Sequence, residues 1–259
     1  MGRLPMRRSF RAKDPQRLPG TLGPQSAGQS ARAGGTVAMT PTSGEPGADL
    51  AARLAAMLGP GAGIGWSPCE GEAGLLTGEA DHLARAVPKR RAEFAAGRRA
   101  ARIALAALGH PPQAIPVGTG RAPLWPAGVA GSLTHDRGLA LAAVVASGED
   151  IGIDLTAAEA LPGETRRAIL PHDAEAGLDD LAARAAFSAK ESLFKALFPC
   201  IETYFGFEAA IAVPDMKAGT VALRLTRAIG PHGPGTVFAG RVERGGDALL
   251  TALRIPAKR

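Results

Sequence analysis

The sequence is poor in cysteine, with only Cys69 and Cys200 among its 259 residues. The two lie far apart, and neither has a histidine or a second cysteine nearby at the spacing of a zinc site. The sequence therefore predicts neither a disulfide framework nor a structural zinc ion, and the cytoplasm is the expected compartment. No segment approaches the roughly 18 consecutive apolar residues that cross a bilayer, so no membrane contact is expected.

Acidic residues are almost missing from the first 38 positions, which carry seven basic residues and one acid. The whole chain has 30 basic and 24 acidic residues, so the remainder holds 23 of each and is formally neutral. Residues 1–38 also lack hydrophobic periodicity, which predicts a disordered basic tail without the apolar region of a secretory signal. Two other interpretations stay open, an organelle transit peptide and a translation start at Met39.

Aromatic residues make up only 4% of the chain, whereas 46% of its residues are hydrophobic. The sequence therefore predicts a sizeable core built on Ala-rich helices rather than an all-β sandwich. Helical spacing covers residues 48–58, 89–108 and 182–198, and the last of these helices is expected to stop at Pro199.

Two apolar runs, residues 139–146 and 151–155, have the length and composition of buried strands. The short polar turn between them predicts a hairpin. Three alternating runs near the end of the chain predict an antiparallel meander, at residues 219–227, 236–243 and 247–254. Helices combined with antiparallel hairpins indicate an α+β fold.

Asp154 ends the apolar run EDIGIDL, and Glu191 and Lys195 stand four residues apart in the helical segment FSAKESLFKALFP. A strand-end aspartate is suited to metal binding, but it also caps the segment that follows it in many proteins. Glu191 and Lys195 combine a carboxylate suited to metal binding with a cation suited to phosphate binding. The same four-residue spacing also occurs in ordinary ion pairs on helix surfaces.

The segment GSLTHDRG, residues 131–138, places hydroxyls and an imidazole just before an apolar strand. Thr134 and His135 offer groups that grip a phosphate, although a histidine in a turn often has only a structural role. Arg98 belongs to an Arg-rich helical face, and Arg121 lies in a Pro/Gly-rich connection that exposes it. A solvated surface explains such arginines equally well.

The order of these motifs is more informative than any one of them. The Arg-rich helix is followed by GRAPLWPAGVAGSLTHDRG, then GIDL, then FSAKESLFKALFP. This combination resembles the 4′-phosphopantetheinyl transferases of the surfactin-synthetase and enterobactin-synthetase type, over about residues 75–200. The stretch WPAGVAGSLTH is closest to the enterobactin-type subgroup.

The resemblance implies transfer of the phosphopantetheine group of coenzyme A to a serine of an apo acyl or peptidyl carrier protein, with release of 3′,5′-ADP. It implies that Asp154 and Glu191 bind Mg²⁺ and that Glu191, Lys195 and Asp154 carry the catalysis. Coenzyme A would be bound by five residues, namely Arg98, Arg121, Thr134, His135 and Lys195. An enterobactin-type relative is expected to serve siderophore or nonribosomal peptide synthesis.

The resemblance also implies a monomer with two similar halves, each a small antiparallel sheet packed on a long helix. We expect an N-terminal half over residues 39–148 with the adenosine-phosphate contacts. We expect a C-terminal half over residues 149–259 with the magnesium-binding and catalytic residues.

One position departs from the family pattern, because Thr156 stands where the family has an acid two residues after the aspartate. Fewer anionic ligands weaken magnesium binding unless a water or the hydroxyl fills the place. A catalytically weak or inactive relative that binds coenzyme A or a carrier protein is therefore one alternative. A nucleic-acid-binding protein is another, but the neutral charge of residues 39–259 and the few aromatic residues speak against it.

Overall fold

The computed structural model describes residues 45–257, which belong to one compact unit spanning residues 41–259. The predicted basic tail, residues 1–38, lies outside the described residues. Two antiparallel sheets and two long helices make up the described part, so the predicted α+β fold is confirmed. No helix described in residues 45–257 is both long enough and apolar enough to cross a membrane.

The first sheet has three strands in the order β1-β3-β2, with β1 at Gly63–Pro68, β2 at Val129–Asp136 and β3 at Leu139–Ala146. Helix α2, Pro88–Ala107, packs on this sheet through its buried alanines. The helix and β1 lie so close that a Cβ at Gly65 would stand 2.1 Å from the Ala100 carbonyl oxygen. Only glycine permits that approach.

The second sheet has five strands in the order β4-β8-β7-β6-β5. Their bounds are Glu149–Ala157 for β4, Ala210–Asp215 for β5, Thr220–Leu225 for β6, Val237–Gly245 for β7 and Ala248–Pro256 for β8. Strands β6 to β8 confirm the predicted meander. Strand β5 was missed by the sequence analysis.

Helix α4, Asp180–Ile201, packs on the second sheet and carries the predicted catalytic pair. The side chain of Asp179 caps its first turn by accepting a hydrogen bond from the Ala182 amide. A Cβ at Gly152 would stand 1.8 Å from the Ser192 carbonyl oxygen, so this glycine lets β4 lie directly against the helix. That contact brings the end of β4 next to the middle of α4.

The remaining helices are α1, Pro46–Leu58, and the short α3, Gly163–Ile169. Helix α1 packs against both sheets through its leucines. Its Arg53 forms an ion pair with Glu243 of β7 at 2.6 Å. The segment predicted as a helix over residues 48–58 is therefore a helix that begins two residues earlier.

The predicted hairpin of residues 139–146 and 151–155 is wrong. Strand β3 pairs with β1 and β2, whereas β4 pairs with β8 along all nine of its residues. The turn at Gly148, with φ +112°, carries the chain from one sheet to the other. Proximity in sequence favoured the hairpin, but β3 forms its hairpin with β2, and β4 pairs with the distant β8.

The edges of the two sheets meet through side chains. The Ser132 hydroxyl of β2 accepts a hydrogen bond from the Ile153 amide of β4 at 3.1 Å. The Thr134 hydroxyl accepts one from the Leu155 amide at 3.0 Å. The two hydroxyls satisfy amides on the outer edge of β4 that no strand pairs. The division at residue 148 coincides with the passage between the sheets, and the similarity of the two halves stays a prediction.

The expected stop at Pro199 is also wrong, because α4 continues to Ile201 and its C-cap is Glu202 in the left-handed conformation. Leu197 and Ile201 pack in the core on either side of the proline. Tertiary packing of the last turn thus overrides the loss of one backbone hydrogen bond.

Candidate functional site

A cavity of about 250 Å³ opens between α2, the loop of residues 118–123, β2 and α4. It is called the cleft below. All five residues predicted to bind coenzyme A line it, namely Arg98, Arg121, Thr134, His135 and Lys195. The fold therefore brings together candidate residues from four separate segments of the sequence.

Arg98 is the most unusual residue of the cleft, because it is 4% exposed and has no ion-pair partner among residues 45–257. Its guanidinium carbon lies 4.1 Å from the centre of the Phe94 ring, and its Nε atom is buried without a hydrogen-bond partner. Burial lowers the pKa of Arg98 to about 10, which still leaves it charged at neutral pH. A buried, unpaired cation is costly, so this position is suited to an anionic ligand.

Arg121 reaches the same cleft from a strained loop. Its own φ is +69°, and that of Gly120 is +61°. A Cβ at Gly120 would stand 2.3 Å from the Phe198 ring, so the loop lies tightly against α4. A non-glycine residue in the left-handed region costs roughly 1–2 kcal/mol, and such strain is concentrated at functional sites.

His135 is held at the mouth of the cleft by two residues of α2. Arg90 Nη1 lies 2.9 Å from His135 Nε2, and Glu93 Oε2 lies 3.8 Å from Nδ1. A guanidinium only donates, so Nε2 accepts and the proton of the neutral ring lies on Nδ1, facing Glu93. Burial lowers the pKa of His135, and the neighbouring Glu93 carboxylate opposes that shift.

The sequence analysis missed Arg90, Glu93 and Phe94 as cleft residues. Arg90 and Phe94 share one face of α2 with Arg98, since they precede it by eight and four positions, and Glu93 lines the cleft three positions after Arg90. Helical spacing around Arg98 was the available signal.

Thr134 lines the cleft, but its hydroxyl is already bonded on both sides. It accepts from the Leu155 amide and lies 3.3 Å from Asp154 Oδ1 as a donor. Thr134 is 5% exposed. Its contact with a phosphate of coenzyme A stays a prediction, whereas its contact with Asp154 is present in the structure.

Asp154 is 8% exposed and accepts hydrogen bonds on both carboxylate oxygens. Lys195 Nζ lies 2.6 Å from Oδ1, on the cleft side. The Ser188 hydroxyl donates to Oδ2 at 2.8 Å. The expected strand-end position is wrong, because β4 continues to Ala157, but Asp154 is a nearly buried carboxylate that is fixed in orientation.

Glu191 lies one turn before Lys195 on α4, is partly buried, and makes no hydrogen bond within residues 45–257. Burial raises its pKa, the Lys195 charge lowers it, and the Asp154 charge raises it again. Lys195 contacts Asp154 and lies one turn after Glu191, so two carboxylates and one ammonium lie in this part of the structure.

This donor set fits a divalent cation. Asp154 offers Oδ1, and Glu191 offers a carboxylate that no described residue neutralises through a hydrogen bond. The described residues contain no group of three or more metal-ligating side chains, but Mg²⁺ retains several waters and needs only one or two carboxylates. Thr156, 8% exposed, lies on the same face of β4 as Asp154 and supplies no charge.

A second cavity of about 120 Å³ lies beside Glu191, with Phe194, Tyr204 and Phe205 in its wall. Phe194 lines both this cavity and the cleft. Lys190 also lies in the wall of this cavity. All three donors of its ammonium have partners, because it contacts Glu175 at 2.7 Å and two backbone carbonyls at 3.0 Å. Lys190 therefore supports the structure rather than a ligand.

Comparison with known proteins identifies the family of the chain. Residues 78–145 match the model of the 4′-phosphopantetheinyl transferase N-terminal domain. The chain is 41% identical over 202 residues to the 4′-phosphopantetheinyl transferase Svp of Streptomyces mobaraensis. This match covers 71% of the chain and 79% of Svp.

Two further relatives agree with this match. Identity is 38% over 200 residues with the 4′-phosphopantetheinyl transferase PptT of Mycobacterium tuberculosis, covering 69% of this chain and 85% of the relative. Sequence identity is also 38% over 156 residues with enterobactin synthase component D of Salmonella typhi, and this match covers 56% of this chain and 63% of the relative. The chain therefore belongs to the 4′-phosphopantetheinyl transferase family, enzymes that transfer the phosphopantetheine group of coenzyme A to a carrier protein.

Proposed function

We propose that the cleft binds coenzyme A with its adenosine 3′-phosphate against Arg98, Arg121 and His135. The observation that carries this assignment is the buried guanidinium of Arg98, which has no carboxylate partner in residues 45–257. A phosphate would supply the missing counter-charge and accept charge-assisted hydrogen bonds. Arg121 would add a second cation from the opposite wall of the cleft.

The diphosphate of coenzyme A then lies beside Lys195, with Asp154 and Glu191 holding Mg²⁺. A bound Mg²⁺ would neutralise the charge that develops on the 5′-phosphate of the departing 3′,5′-ADP as its bond to the pantetheine phosphorus breaks. Lys195 contributes a further positive charge on the same side. Lys195, Thr134 and Ser188 all donate hydrogen bonds to the Asp154 carboxylate.

The pantetheine arm extends past Phe194 into the second cavity in this proposal. Phe194 separates the two spaces and lines both of them. The aromatic wall of the second cavity suits the apolar dimethyl and methylene groups of the arm. The phosphorus attached to pantetheine then lies near Glu191, which lines the second cavity.

The acceptor serine hydroxyl attacks that phosphorus, the bond to the ADP oxygen breaks, and 3′,5′-ADP leaves. Glu191, directly or through a water that it orients, takes the serine proton. Burial raises the pKa of Glu191, which makes its carboxylate a better proton acceptor than an exposed glutamate.

The acceptor is an apo carrier protein of nonribosomal peptide or siderophore synthesis in this proposal. Support comes from the similarity to enterobactin synthase component D of Salmonella typhi and of Escherichia coli. Side-by-side assays with purified apo-carriers of fatty acid, polyketide and peptide synthesis test this choice. A preference for the fatty acid carrier would contradict it.

Replacing Glu191 by Gln tests the catalytic proposal directly. The variant keeps the size of the side chain but removes both the metal-binding charge and the proton acceptor, so transfer of labelled phosphopantetheine should fall to background. The matched control is Glu164→Gln, a substitution of an exposed carboxylate on α3, which should leave transfer unchanged. Near-normal turnover of Glu191→Gln with an intact melting transition would refute the role.

A further inference from the structure

Three buried hydroxyls form a continuous chain behind Asp154. Ser188 and Ser192 lie on the inner face of α4, Thr251 lies on β8, and none of the three has exposed surface. Thr251 Oγ1 lies 2.9 Å from Ser188 Oγ and 2.7 Å from Ser192 Oγ. Ser188 Oγ in turn lies 2.8 Å from Asp154 Oδ2.

The number of protons on these groups fixes the direction of the hydrogen bonds along the chain of hydroxyls. Each hydroxyl has one proton, and Ser188 donates its proton to the Asp154 carboxylate. Ser188 must then accept from Thr251, and Thr251 Oγ1 can accept only from Ser192, whose hydroxyl also lies 3.3 Å from the Thr251 carbonyl oxygen. The hydroxyls of Thr251 and Ser188 therefore both point toward Asp154, and Ser192 donates to Thr251 at the far end.

The chain leaves the two oxygens of Asp154 in different environments. Oδ2 accepts a hydrogen bond from the buried Ser188 hydroxyl. Oδ1 accepts from Lys195 and Thr134, which line the cleft. Thr251 is also the cross-strand partner of Asp154 between β4 and β8, so the chain fixes the carboxylate to the strand next to its own. Rotation of the carboxylate would break the bond to Ser188.

Elsewhere the inner face of α4 is built from alanine and leucine, including Ala185, Ala189, Leu193 and Ala196. Apolar residues would fill the positions of Ser188 and Ser192 without the cost of burying hydroxyls. The hydroxyls occur only where they connect to Asp154, which indicates a role in the site rather than in packing.

We propose that the chain Ser192–Thr251–Ser188 is a positioning device that holds Asp154 with Oδ1 as its metal-binding oxygen. This inference rests on the proposed function in one respect, that Asp154 binds the metal. Ser188 and its two partners would touch neither the metal nor the substrate, and they act by fixing the orientation of the ligand.

Mn²⁺ binding to the full-length protein, measured by electron paramagnetic resonance, tests the inference without an activity assay. Ser188→Ala removes the donor to Oδ2 and should weaken Mn²⁺ binding roughly 10- to 100-fold, the range for partners of metal ligands. Thr251→Val, one step further back, should have a smaller effect. Ser188→Cys keeps a weak donor and should fall between Ser188→Ala and the unchanged protein.

The matched control is Ser67→Ala, which also removes a buried hydroxyl. Ser67 lies on β1 of the first sheet, and its hydroxyl accepts a hydrogen bond from Arg99 of α2. Both alanine variants should lower the melting temperature, but only Ser188→Ala should weaken Mn²⁺ binding. Equal Mn²⁺ affinities of Ser188→Ala and Ser67→Ala would overturn the inference while leaving the metal site intact. Absence of Mn²⁺ binding by the unchanged protein would instead overturn the proposed function, and the inference with it.

Discussion

Lys195 Nζ lies 2.6 Å from Asp154 Oδ1, so an ammonium group occupies the carboxylate oxygen that faces the cleft. Lys195 also donates to the Ile153 carbonyl at 3.1 Å, and its side chain is 26% exposed. The lysine is therefore an internal counter-ion that a metal binding at Oδ1 would have to displace. Lys195 also lines the cleft, where its ammonium is available to a phosphate.

Lys195→Met should change metal binding and catalysis in opposite directions. Without coenzyme A, Mn²⁺ binding at pH 8 should tighten roughly two- to fivefold, the value of a partly exposed ion pair that no longer competes. Transfer should fall at least about tenfold, because a cation beside the diphosphate is lost. Calorimetric titration with Mn²⁺ and a transfer assay measure the two effects. Weaker Mn²⁺ binding by Lys195→Met would contradict the displacement.

Arg98→Met should separate ligand binding from stability. The KM for coenzyme A should rise roughly 10- to 100-fold, because charge-assisted hydrogen bonds to the 3′-phosphate are lost. The KM for 3′-dephospho-coenzyme A should not change, since that substrate lacks the group. The free protein should be no less stable in urea, because the substitution removes a buried charge without a partner. Equal losses with both substrates would place the phosphate elsewhere.

His135 should make stability depend on pH. Burial, assisted by the charges of Arg90 and Lys195, lowers its pKa below the usual 6.5 in the folded protein. The unfolded chain therefore binds more protons between the lowered pKa and 6.5, so stability should rise with pH through that window. His135→Gln should reduce this slope in urea denaturation from pH 5 to 7.5. An identical slope in both proteins would show that His135 is not responsible.

The sequence predicted which residues lie together better than it predicted strand pairing. Asp154 and Lys195, which are in contact, and Glu191, one turn before Lys195, were singled out because motif order carries information that survives without coordinates. The hairpin of residues 139–146 and 151–155 was wrong because a continuous apolar run indicates a strand but not which strand pairs with it. Strand β1, GIGWSP, was missed because two glycines and a proline weaken its strand signal.

Ser188 shows a second limit of sequence interpretation. A serine inside a helix has no pattern that separates a solvated side chain from one that supports a carboxylate. Its role becomes visible only when Gly152 allows β4 to approach α4 and places Asp154 beside the helix. Contacts between distant segments of the sequence, not local propensity, decide that assignment.

Glu175→Gln should destabilise the fold strongly. Glu175 has no exposed surface and contacts Lys190 at 2.7 Å and the Ala212 amide at 2.8 Å. Breaking a buried pair leaves an unpaired charge and costs roughly 3–5 kcal/mol, which urea denaturation measures. The double variant Glu175→Gln, Lys190→Met should recover part of that loss. No recovery would mean that the amide contact, not the ion pair, carries the stability.

The first sheet contains a counterpart of this arrangement. Glu79, also without exposed surface, contacts Arg102 at 2.7 Å and accepts from the Ile115 amide at 2.8 Å. In each case a buried carboxylate joins a long helix to a later segment of the chain. Arg102 is thereby directed away from the cleft, which explains why Arg98 and not Arg102 lines it.

Thr156→Glu should restore the acid that the family has two residues after its metal-binding aspartate. Thr156 shares a face of β4 with Asp154, so a longer carboxylate there adds negative charge beside the two existing ligands. The Mg²⁺ concentration for half-maximal transfer should fall several-fold, and Mn²⁺ binding should tighten in parallel. Thr156→Gln, equal in size but neutral, is the control. If both variants required more Mg²⁺, the threonine would be adapted to its site and the two-carboxylate arrangement would be the working form.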